Sequence, residues 1–383
     1  MESVKRSVGG LVDPRFFPDS DLSSLIVGLL LLDAWYSSGM FVAPIITPGS
    51  VEFILPYDDA LFEATTSAQW VPLIDGERHL LMPTVLAPSG SIEVPMLRDP
   101  VNGLCMYGVL ALVQLQQSEA YHRLVRNRAS RPFVPCYVYA MDDQASCLPS
   151  LQSQIAHKYG DVFERLDPNI AIMWHSMCMA LTADLQLFCR VATTDAPAPR
   201  RRIALRRIQA WSQTPAARQA CLHAAHIYKA TDKAIDEAIA NDKDAKPLLF
   251  YSEASFFCAA LVLALYQFTV PEPKVPPAGR TSIELLDDLQ WQTLATECFT
   301  GLLDPEPSDN LTVNFIRDGG TVSMQGVPLF GDCLSARLVL KKFERLLEKS
   351  TKWNMGNFSR GLRLFHDDLL GTKLLFWDME VID

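Results

Sequence analysis

Two histidines three residues apart, His223 and His226, stand in a helical stretch where that spacing puts them on one face. Such a pair can fill two positions of a tetrahedral metal site. Zinc would need two further ligands, and Cys221 and His175 are the candidates by residue type. No Cys-x-x-Cys or other local ligand pair accompanies them. Packing or capping histidines are therefore expected, and no metal ligand is assigned. Cys178, three residues after His175, could form a thiol–imidazole pair. A nucleophilic thiol needs exposure and a depressed pKa. Cys178 instead lies in the most apolar helical segment of the chain, the setting of an inert core thiol. No Gly-x-Ser-x-Gly, Walker loop or dinucleotide fingerprint occurs. No catalytic or cofactor-binding residue is assigned, and the chain is not expected to be an enzyme.

The one dense positive cluster is Arg200, Arg201, Arg202, Arg206 and Arg207. It reads either as a nuclear import signal or phosphate contact, or as a solvated helix face with arginines paired to acidic neighbours. The paired, solvated face is the favoured reading. Asp184 falls inside an apolar run, and a buried carboxylate without a partner costs several kcal/mol. Arg218 and Arg206 are the expected partners.

These residues must be positioned by helices. Asp167-Pro168 reads as a cap followed by a first-turn proline, opening a helix over 169–190. A second helix spans 200–213, with Ile203, Ile208 and Trp211 as buried candidates. Thr214-Pro215 repeats the cap-then-proline signal, and the helix after it carries small residues at spacings of three and four. A charged helix end or loop follows at 231–246, then an apolar helix at 250–269. That helix and the run at 25–32 could imitate membrane spans. Both fall short of roughly 20 uninterrupted apolar residues, and buried core helices are expected. VPEPKVPPAG (270–279) reads as a linker, Thr281 to Glu284 as a capping box for a helix to about residue 300, and Asp318-Gly319-Gly320 as a hairpin turn. Asp332 is expected to cap a closing helix pair carrying Leu334, Leu338, Phe343, Leu346, Leu347, Leu362 and Phe365. Helices at 25–36 and 103–125 flank an extended, proline-punctuated stretch. No internal repeat and no confident domain boundary stands out.

Three stretches resemble the regulatory region of fungal-specific transcription factors, in the form found behind paired two-Cys, two-His zinc fingers. The first, residues 29–70, has an apolar-Asp helix end, a proline-rich segment, and a box of Leu55, Pro56, Leu61, Phe62, Ala64 and Trp70, with Phe62 in place of the usual Trp. The second joins WHSMCMALTADLQLF (174–188) to residues 206–230. Its most specific residues are Trp211, the run Thr214 to Arg218, and the Cys-Leu-His-Ala-Ala block at 221–225. The third is residues 250–268, and residues 335–365 fit the closing helices. Together they span about residues 22–370.

The resemblance implies an all-α, irregular multi-helix array with minor extended or hairpin segments. Residues 21–370 would form the domain, between an N-terminal segment (1–20) and a tail (371–383). It implies transcriptional regulation in the nucleus, of a metabolic or biosynthetic gene cluster. The alternatives are a finger-less modulator that binds a full-length regulator and a small-molecule-binding pathway protein or enzyme. The zinc fingers and the front half of the region are expected to be absent, so no cofactor is expected, and zinc only if upstream fingers belong to the protein. Apolar residues at 49% suit a packed core, and a net charge of −10 opposes DNA binding. Protein partners or self-association are expected, with a possible small-molecule effector and no membrane. Nine cysteines, odd in number, fit a reducing compartment.

Overall fold

The structure, a computed structural model, describes residues 20–47, 66–69, 94, 97, 101–125, 134–192, 198–240, 248–271, 282–291, 294, 310–349 and 355–377. The chain is all-α, with one very small sheet among the described residues. The Leu55–Trp70 box and most of both proline-rich stretches lie outside the described residues. Contacts divide the chain into two compact units, residues 1–119 and 120–383.

In the first unit, helix α1 (Ser20–Met40) buries Val27, Leu30 and Ala34. Asp33 on the same helix is buried, and its carboxylate accepts hydrogen bonds from the amides of Ile45 and Ile46. That carboxylate folds the chain back after the helix ends. Helix α2 (Gly103–Leu124) crosses from the first unit to the second.

The second unit continues with α3 (Pro135–Tyr139), α4 (Leu148–Leu166), α5 (Pro168–Thr182), α6 (Leu185–Ala192), α7 (Ala198–Ser212), α8 (Pro215–Ala240) and α9 (Phe250–Thr269). Strand β1 (Ile283–Glu284) precedes α10 (Leu311–Asp318), β2 (Val322–Met324), β3 (Val327–Leu329), α11 (Cys333–Lys349) and α12 (Met355–Trp377). Helix α8 packs on α5 and α9, and α9 packs on α11, which pairs with α12. Residues 259–265 of α9 are fully buried. The helix has the length and apolarity of a membrane span, and here it fills the protein core.

Capping signals hold where side chains confirm them. The Asp167 carboxylate accepts from the Asn169 amide, and the Thr214 hydroxyl accepts from the Ala217 amide. The Asp332 carboxylate accepts from the Ser335 amide.

Other expectations are corrected. The helix expected over 169–190 is two helices, broken at Ala183 in an extended conformation. Trp211 Nε1 donates to the Thr182 carbonyl freed by the break, so a residue 29 positions away stabilises it. The expected capping box at 281–284 does not open a helix at Ile283–Glu284. Those residues form a strand parallel to β2, and the following residues 285–290 are turn and irregular backbone. The hairpin is turned by Gln325 and Gly326, both at positive φ, and not by Asp318-Gly319-Gly320. Glu284 accepts from both amides of that turn. Gly319 instead ends α10 at positive φ. Ile203 and Leu334 are exposed, since their helices turn those positions to solvent.

Candidate functional site

Two buried polar groups hang on the α5–α8 pair. Midway along the pair is a histidine cluster. His175 of α5 and His223 and His226 of α8 are all buried. His175 Nδ1 and His223 Nδ1 lie 3.0 Å apart, so one carries the hydrogen and the other accepts it. The indole of Trp291 sits among them. Its centroid is 4.5 Å from the His223 ring, nearly parallel to it, and 4.9 Å from both His175 and His226, edge-on. Trp174 meets Trp291 edge-on at 5.7 Å.

Burial, then the neighbouring imidazoles, pushes His175 well below the usual histidine range. Burial pushes His223 down to about 3. Burial and Lys229 lower His226 to about 4, against the opposing pull of Asp288 and a hydrogen bond to the Asp287 backbone. All three are neutral at pH 7. Among the described groups, His223 Nε2, His226 Nε2 and Trp174 Nε1 are buried without a hydrogen-bond partner. No group of three or more metal-ligating side chains has a metal-holding arrangement among the described residues. The indole packs against all three imidazoles, so the cluster is an aromatic packing unit.

The histidine pair and His175 thus come together, but Cys221 does not join them. Cys221 interacts with Arg218 and Tyr266. Burial holds the Cys178 thiol well above its ordinary value, so it is not an activated nucleophile beside His175. Every described cysteine is a free thiol.

In the first turn of α8 is Arg218, 8% exposed. Its Nε donates to the Ile316 carbonyl at 2.7 Å, Nη2 to Arg317 at 2.8 Å and Nη1 to Gln213 at 3.2 Å. Two of these acceptors are terminal carbonyls of α10, which lack partners within the helix. Arg218 thereby ties α8, the α7–α8 turn and α10 together. It is not the partner of Asp184, and neither is Arg206, whose position is exposed. Asp184 sits at the α5–α6 break, accepts from the Tyr121 hydroxyl at 2.7 Å, and lies 3.9 Å from Arg207. Burial raises the Asp184 carboxyl, and Tyr121 and Arg207 oppose that rise.

The five arginines all fall on α7. Arg201 pairs with Asp368 and Arg207 with Asp184, while Arg200 and Arg206 face solvent and Arg202 is half-buried. The patch is divided between internal ion pairs and the surface. Two contributors had no local signal, Tyr121 and Trp291. Each meets its partners only through tertiary packing.

Comparison with known proteins returns no match to a family model, a curated protein or a solved structure.

Proposed function

We propose that this chain is a helical regulatory module of a fungal transcription regulator, acting in the nucleus on pathway genes through protein contact. One observation carries the reading. Two of the three features most specific to the resemblance, Trp211 and the run Thr214 to Arg218, lie at the joint of the helical array. Trp211 secures the α5–α6 break, Thr214 caps α8, and Arg218 binds α10.

The charge balance supports contact over base readout. The net charge is −10, and two of the five clustered arginines already neutralise carboxylates. The buried, inert thiols also favour a binding role over nucleophilic catalysis.

The test is a tethering assay. The full chain is fused to an unrelated DNA-binding domain in a fungal host carrying the cognate reporter. Reporter output should change several-fold, and the fusion-free chain should accumulate in nuclei. Unchanged output together with exclusion from nuclei would sink the proposal. Arg218→Met, which opens the joint, should abolish the reporter effect. A finger-less modulator would instead leave the tethered reporter silent and bind a full-length regulator in pull-down.

A further inference from the structure

Helix α1 presents an uncharged apolar face to solvent. Leu25, Leu29, Leu32, Tyr36 and Met40 are 56%, 50%, 59%, 45% and 60% exposed. Their spacings of four, three, four and four put them on one side of the helix. The opposite side buries Val27, Leu30 and Ala34, so the helix is apolar on both faces. Gly28 is exposed beside the stripe, and no atom lies within 4 Å of where a Cβ on it would stand. Bare backbone there allows a second helix to approach closely.

We propose that this face is a self-association surface on which a second copy of the chain docks, α1 against α1. The stripe is self-complementary because it holds no charge. In a two-fold pair residue i of one copy meets j of the other and j meets i, so an uncharged stripe brings no like charges together. The stripe spacing of three and four is that of helix–helix seams. Ten half-exposed apolar side chains, five from each copy, would bury on the order of 1,000 Å2, near the threshold for a specific interface. A dimer of that size should dissociate on dilution. A lipid surface is the poorer fit. Membrane-surface helices carry Lys or Arg on their polar face, and α1 has neither. The inference does not depend on the regulatory reading.

Leu32 lies at the middle of the stripe, so it meets its own copy whether the helices run parallel or antiparallel. The full chain is followed by sedimentation velocity over a wide concentration range. Wild type should shift from monomer to dimer as concentration rises. Leu32→Glu and Leu32→Lys, each with wild-type circular dichroism, should stay monomeric where wild type is dimeric. Their equimolar mixture should regain the dimer. A wild-type chain that is monomeric throughout overturns the proposal, whatever the variants do. So does a dimer that survives both substitutions, or a folded pair of variants that fails to recombine. Wild-type pelleting with anionic vesicles without dimerisation would assign the face to lipid and equally overturn it.

Discussion

Arg218 and two of the three clustered histidines, His223 and His226, lie on the same helix, yet they solve burial in opposite ways. Arg218 keeps its charge in the interior because three carbonyl oxygens receive its guanidinium. The histidines have no such acceptors for two of their nitrogens and remain neutral. A permanent charge can be buried when the backbone supplies partners. A titratable one without them gives up its proton instead.

Acid should separate the two groups most. The unfolded chain protonates its histidines near 6.5. The folded chain resists until about 3 for His223 and about 4 for His226. Between those values the unfolded state binds more protons, so stability present above pH 6.5 is lost as pH falls. Each lowered histidine contributes up to about 1.4 kcal/mol per pH unit in that window. Thermal melts should therefore fall steeply from pH 6.5 to 4, and a His223→Leu, His226→Leu chain should show a shallower slope. An unchanged slope would mean that the cluster opens before it protonates.

The next largest effect tests the charged group. Arg218→Met leaves the buried Ile316 carbonyl and the part-buried carbonyls of Gln213 and Arg317 without this donor, at a cost of roughly 2–3 kcal/mol by denaturant titration. Arg218→Lys should recover only part, because an ammonium lacks the fork that reaches three oxygens. Both losses should be nearly independent of pH from 4 to 8, unlike the histidine effect.

A smaller effect of opposite sign comes from Glu253, in the first turn of α9. Burial raises its carboxyl to about 7, and its Oε2 lacks a hydrogen-bond partner among the described groups. Its folded pKa lies above the unfolded value, so the stability it gives below about 4.5 is lost as pH rises through 7. Glu253→Gln should raise stability by about 1 kcal/mol at pH 8 and change nothing at pH 4. Equal melting at both pH values would place that carboxylate in water.

The helical class and the cap signals were legible because they are local. Asp167-Pro168, Thr214-Pro215 and Asp332 each bind an amide two or three residues on. The break at Ala183 was not legible, because its freed carbonyl is satisfied by Trp211 from another helix. The sequence Thr281 to Glu284 fits a cap as well as a strand, and pairing with β2 decided between them. In the same way, the pair His223 and His226 follows from helical spacing. Their meeting with His175 and Trp291 needed the fold, as did the pairing of Asp184 with Tyr121 and Arg207. The Leu55–Trp70 box lies outside the described residues.

The stacked indole of Trp291 gives the histidine cluster its own indicator. An imidazolium quenches a neighbouring indole's emission far more than a neutral imidazole does, and His223 lies almost parallel to the Trp291 ring at 4.5 Å. The charge state of a buried histidine can therefore be followed by light, without a label, from a tryptophan already present.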